Sequence, residues 1–271
     1  MTGTDPDATP QPPAGGYQFE GRTVAAGRGW DWIVEAFALF RKQPGIWILT
    51  VVVLGVLFIL IGMIPLLGSF ASALLLPMFA GGLMLGCKDL DRGGALELEH
   101  LFAGFRQKTG DLAMVGAFNL ISSVVIAYAV DAVIGGGVFI GVTPGGAEGA
   151  GPSIASSQIA MLLIAGLSVP LYMATWFAPV LIVLEGMTVV AALKASFFAC
   201  LRNWIPFLVY SVVLLVPCLV AAVPVSLAYL NLVPVLVAAI PVGLGFLVLV
   251  PVLVASVYTA YRDIFCAGQE A

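Results

Sequence analysis

Residues 37–90 read FALFRKQPGIWILTVVVLGVLFILIGMIPLLGSFASALLLPMFAGGLMLGCKDL. Arg41 and Lys42 precede a run, residues 43–87, that carries no charge, and Lys88 and Asp89 close it. The run is too long for one membrane crossing, since about 20 helical residues cover a hydrocarbon core of about 30 Å. The break from Pro65 to Ser69 folds it into a tight hairpin of two spans. In lipid every backbone N–H and C=O must be paired internally, so both limbs are helices. The chain leaves a basic surface, crosses twice, and returns to a basic surface.

The rest of the sequence continues in this manner. Of 271 residues, 61% are hydrophobic and only 10% charged, against about 25% charged in soluble domains. The mean hydropathy of +1.09 agrees. Such a chain cannot face water over its whole surface. The expected fold is an all-α membrane protein with six transmembrane helices, near residues 46–66, 69–87, 112–134, 158–184, 207–228 and 233–260.

Direction follows from Lys and Arg, not from the net charge of -4. All eleven basic residues fall on one side of this threading: Arg22, Arg28, Arg41 and Lys42; Lys88, Arg92, Arg106 and Lys108; Lys194 and Arg202; Arg262. The expectation is a bacterial inner (cytoplasmic) membrane protein with both termini cytoplasmic. Residues 1–29 have no signal-peptide core and are expected to form a disordered tail, with a second short tail at 267–271.

Self-similarity organises the middle. FALFRKQPG at 37–45, FAGFRQKTG at 102–110 and FACLRNWIP at 198–206 align Phe37, Phe102 and Phe198, and also Arg41, Arg106 and Arg202. Each copy ends a short amphipathic stretch and meets a breaker, which lets the chain turn into the membrane. Three short interfacial helices are expected to lie on the inner surface, apolar face down. The threefold pseudo-repeat covers 30–93, 97–186 and 187–266, within one membrane domain at 30–266. The second span of each copy carries a proline, Pro77, Pro170 or Pro251, and these are the expected helix kinks.

GRGWDWIVEAF (27–37), FALFRKQPG, HLFAGFR (100–106), ACLRNWIPFLVY (199–210) and ASVYTAYRDIF (255–265) together resemble a family of multi-pass inner-membrane proteins of proteobacteria. The layout is more loosely similar to the membrane domain of glycerophosphodiester phosphodiesterases, whose catalytic domain has no counterpart here. The resemblance covers about residues 25–266 and brings no activity and no functional residue with it.

Side chains that could carry chemistry are few. Asp131 lies inside an apolar run, where an acid is costly and often functional, with Asn119 three turns earlier on the same helix. A proton or cation contact and a plain helix–helix or interfacial hydrogen bond both account for Asp131. Glu185 and Asp111, at the inner ends of their spans, are expected to pair with nearby basic residues. His100, the single histidine, has no second ligand at metal spacing and reads as a solvated surface residue. Cys87, Cys200, Cys218 and Cys266 form no CxxC pair. The glycine-rich stretch 135–157 lacks the Lys of a phosphate loop and is expected to be an outer loop. Trp30, Trp32, Trp47 and Trp204 are expected to be interfacial anchors beside Arg41, Arg106 and Arg202, with Trp176 packed between helices.

The expectation is therefore a non-enzymatic protein without cofactor or metal. It would act through the lipid bilayer, other membrane proteins or self-association, and not on nucleic acid. The alternative is a transporter or channel for a small or amphipathic, lipid-like solute.

Overall fold

The computed structural model describes residues 21–65, 67–134 and 154–266. The stretches 1–20 and 267–271 of the expected tails, and 135–153 of the expected outer loop, lie outside the described residues.

The described residues are helical, with no strand. In chain order they form α1 (Arg28–Lys42), α2 (Pro44–Gly62), α3 (Leu67–Asp91), α4 (His100–Gln107), α5 (Thr109–Ile134), α6 (Ile154–Thr175), α7 (Ala178–Glu185), α8 (Val189–Arg202), α9 (Trp204–Tyr229) and α10 (Val235–Tyr261), with a π turn at Arg262–Cys266. Six stretches among them are long and apolar enough to cross a membrane: 44–62, 67–91, 109–134, 157–185, 204–229 and 235–266. The protein is an all-α membrane protein of short helix, span, span, three times over.

Each short helix is separated from its span by one non-helical residue: Gln43 (φ -145°), Lys108 (φ -140°) and Asn203 (φ -107°). Pro44 opens α2 at the position where its missing N–H costs nothing. The α9–α10 hairpin turns on Asn231 at φ 57°, a conformation asparagine tolerates better than most residues.

The short helices carry two apolar faces, where the sequence suggested one. In α1 the tightly packed side, Trp32, Ala36, Leu39 and Phe40, is buried, while Trp30, Val34 and Phe37 are exposed. In α8 Ala192, Ser196, Ala199 and Cys200 are buried, while Val190, Phe198 and Leu201 are exposed. In α8 the small buried residues allow close backbone approach to the protein, and in both helices the other apolar side is left for lipid. Trp30 and Trp204 lie exposed as anchors require. Trp32 and Trp47 do not: both are fully buried core residues, because their apolar face is the one turned towards the bundle.

Packing follows a rule. α4 lies on α3, and α8 lies on α6 and α7. Each short helix thus docks on the second span of the repeat before it. α1 docks on α10, the second span of the last repeat, so the three units close into a ring. The junction amides join in. Gln43 Oε1 accepts from Leu96 N–H (2.8 Å), on the approach to α4. Asn203 Oδ1 accepts from Val24 N–H (2.9 Å), and its Nδ2 donates to the Arg22 carbonyl (3.0 Å), on the approach to α1. Residues 21–29 are thereby packed against the bundle, which moves the start of the domain forward from residue 30.

The core sits towards the charged end. The outer half of α9 from Ser211 to Leu230, and the first half of α10, hold almost no buried residue.

Candidate functional site

The second span of the middle repeat is the one that breaks. α6 ends at Thr175 and α7 begins at Ala178. Pro77 and Pro251 sit inside helices that continue through them, so proline alone does not break a span in this fold. Pro170, the expected kink, also lies inside α6. The break comes later, before Pro179, and its cause is a side chain from α8. Ser196 is fully buried. Its Oγ accepts from Phe177 N–H (2.9 Å) and donates to the Met173 carbonyl (2.7 Å). Residues 173 and 177 are the i and i+4 partners of one helical hydrogen bond. The hydroxyl has been spliced into that bond, and Pro179 cannot donate to the carbonyl of Thr175 one turn on.

The position of Ser196 has equivalents. Two residues before Phe37 and Phe102 stand Glu35 and His100. Glu35 Oε2 accepts from Arg262 Nη2 (2.7 Å), and His100 Nε2 bonds Asp89 Oδ2 (3.0 Å). In all three repeats this position binds the second span of the preceding repeat. His100 is half-buried and docks on α3 through Asp89, itself exposed.

Around the break lie two apolar cavities. The central one has a volume of about 440 Å³ and draws its walls from the second spans of all three repeats: Pro77 and Met84 of α3, Pro179 and Val180 of α7, Val254 and Val257 of α10. Asn119 of α5, with Tyr172 and Thr175 of α6, supplies its polar groups. The second, of about 450 Å³, is a crevice between α6 and α9 above α8, with Val169, Met173, Cys200, Trp204, Leu208 and Ser211 on its walls. α6 and α9 make no extended contact, so the crevice opens sideways. Tyr172 and Trp176 belong to both cavities and form the partition. Trp176 is wedged edge-on against Phe207 (6.0 Å) and Tyr210 (6.2 Å), and its buried Nε1 has no hydrogen-bond partner among the described residues.

The charged end is a chain of alternating charges. Asp91 binds Arg262 Nη1 (2.8 Å), Arg262 Nη2 binds Glu35 (2.7 Å), Glu35 binds Arg28 Nη2 (3.0 Å), and Arg28 Nε binds Asp263 (2.6 Å). Asp263, only 4% exposed, also takes Arg22 Nη2 (2.5 Å) and Trp32 Nε1 (2.9 Å). Burial alone would lower the pKa of Arg28, but Asp263 and Glu35 outweigh it and hold the guanidinium above its ordinary value. Burial pushes the Cys200 thiol up to about 12, against a smaller opposing hydrogen bond from Ser196. Glu185 accepts a hydrogen bond from the Tyr261 hydroxyl where a basic partner was expected, because the ring closure brings α10 to it first. Asp111 does meet Lys108, at 3.8 Å.

The sequence placed Asn119 and Asp131 on one helix, and the structure separates their surroundings. Asn119 faces the central cavity. Asp131 is buried near the far end of α5 and is not among the residues that line it. Arg41, Arg106 and Arg202 all lie exposed at the charged end. Ser196 and Pro179 drew no attention in the sequence. Aligning the three phenylalanines and asking what stands two residues earlier would have flagged the first.

No family model and no solved structure matches the chain. A protein of Burkholderia thailandensis named a probable inner membrane protein is 32% identical over 195 residues, covering 69% of this chain and 72% of that protein. Its name agrees with six membrane-length helices. By that identity and coverage, the chain belongs to the same family of multi-pass inner-membrane proteins.

Proposed function

We propose that the protein binds an amphipathic, lipid-like molecule from within the bilayer and does no covalent chemistry on it. The observation that carries this reading is the central cavity, apolar, walled by all three repeats, beside a crevice that opens sideways. Volumes of about 440 and 450 Å³ fall within the roughly 300–1,000 Å³ of ordinary ligand sites. An acyl chain moving from lipid into such a cavity gains no hydrophobic free energy, because it leaves hydrocarbon for hydrocarbon. Selectivity must then come from shape and from the few polar groups, Asn119 and Thr175. On this reading the basic end is cytoplasmic, by the one-sided placement of Lys and Arg. Arg41, Arg106 and Arg202, with Trp30 and Trp204, hold it at the headgroups. Release of the bound molecule to the opposite leaflet, a transport role, is the second reading, favoured by the broken span of the middle repeat.

Native mass spectrometry of protein purified in mild detergent tests the proposal. Wild type is expected to carry lipid adducts, and Ala80→Phe, which fills the central cavity, is expected to lose them at least fivefold while keeping its helicity. Adducts of equal intensity in both proteins would sink it.

A further inference from the structure

We infer that α6 is a gate, hinged at Trp176–Phe177 and pinned by the Ser196 hydroxyl, whose swing joins the lateral crevice to the central cavity. This regulation rests on the lipid-binding reading above.

The hinge has two satisfied states. In the observed one Ser196 bridges Phe177 N–H and the Met173 carbonyl. In the other those two groups bond each other directly, and the Ser196 hydroxyl turns to the Ala192 carbonyl of its own helix, as serines in helices do. Both states pair Phe177 N–H and the Met173 carbonyl, so the change of backbone there costs no hydrogen bond at those two groups; the Thr175 carbonyl, opposite Pro179, lacks its helical donor in either state.

At its base Trp176 meets Phe207 and Tyr210 of α9; beyond that point the lever has little packing on the side where it must move. α6 packs on α5 and α8 and makes no extended contact with α9. Tyr172 and Trp176, one turn apart just before the break, line both cavities and are carried by α6 as it turns. Helical rise puts Met161 about 24 Å from the hinge, so a 15° turn, taken as a rough figure, moves it about 6 Å. The pin belongs to a surface helix whose Val190, Phe198 and Leu201 are exposed. Displacement of α8 at the membrane surface therefore acts directly on the gate.

Met161 on α6 and Val220 on α9 are both exposed. With spin labels at Met161→Cys and Val220→Cys, in a background with Cys218→Ala and Cys266→Ala, since both thiols are free and not buried, the distance across the crevice is read in vesicles of phosphatidylethanolamine and phosphatidylglycerol. Ser196→Ala is expected to shift the distance by about 5 Å and to lower lipid adducts several-fold, and Ser196→Thr to keep both near wild type. Delipidated wild type is expected to give a different distance distribution before and after addition of dioleoyl phosphatidylglycerol, a comparison that needs no variant at the pin. An unchanged distance in Ser196→Ala and in that titration overturns the gate. A shift in Ser196→Ala with no adduct on either protein upholds the hinge and overturns the lipid reading instead.

Discussion

Asp263 gathers three side-chain donors at the end of the charge chain. Arg22, Arg28 and Trp32 all donate to its carboxylate, and all three lie at the start of the first repeat. Asp263→Asn keeps the shape, removes the charge and leaves Arg28 with Glu35 and Asp31 and Arg22 with the backbone carbonyl of residue 263. Removing one member of a fully buried pair costs roughly 3–5 kcal/mol. Arg28 and Arg22 are 32% and 50% exposed, so water takes over part of the lost interaction, and a loss of about 2 kcal/mol is expected. Thermal unfolding in detergent reads it. Cys200 gives a second prediction at this scale. Its thiol, held up to about 12 by burial against a partial lowering by Ser196, stays protonated at pH 8, and only a thiolate attacks an electrophile. N-ethylmaleimide is expected to spare Cys200 in the folded protein and to modify it after denaturation in SDS, as mass mapping would show.

At the scale of elements, the contact between α3 and α4 depends on paired glycines. A Cβ on Gly104 would fall 2.1 Å from the Met78 carbonyl oxygen, and one on Gly82 would fall 2.2 Å from that of His100. Backbone cannot yield as a flexible side chain can. Gly104→Val is expected to push α4 off α3 at a cost of about 1–3 kcal/mol, while Gly45→Ala, with nothing within 4 Å, changes the melting temperature little. Here the limits of the sequence become visible. The phenylalanine and arginine of FAGFR mark a repeat because they recur at fixed spacing. Gly104 does not recur: Leu39 and Cys200 hold the equivalent places. Likewise Trp30 and Trp32 are two residues apart on one helix, and periodicity could not say which faced the bundle. The spans were legible because length and hydropathy are local properties. Ser196 and Asp263 were not, because their roles arise from partners 19 to more than 200 residues away.

For the molecule as a whole, the ring has a testable consequence. The start of the packed chain lies against its end, with Arg22 N–H bonded to the Ile264 carbonyl at 2.9 Å. Every repeat contains two spans, so each begins and ends at the same face. A circular permutant that starts at residue 97, joins residue 266 to residue 21 through a short linker, and ends at residue 93 is expected to fold. Circular dichroism and size exclusion in detergent would show wild-type helicity and a single species, while an aggregated permutant would show that closure by α1 needs the natural chain order.

The spans are unequal. α2 has 19 residues and α9 has 26, or about 28 and 39 Å of helix, against a hydrocarbon thickness of about 30 Å. One flank of the protein therefore matches an ordinary bilayer standing upright, and the other overshoots it. The outer half of α9 packs against little besides its hairpin partner, so it can lean to hide the excess or draw the leaflet up around it. Where α9 leans, the bilayer keeps its thickness; where it stays upright, the lipids beside it are stretched relative to those beside α2, and the molecule imposes a thickness gradient on its surroundings.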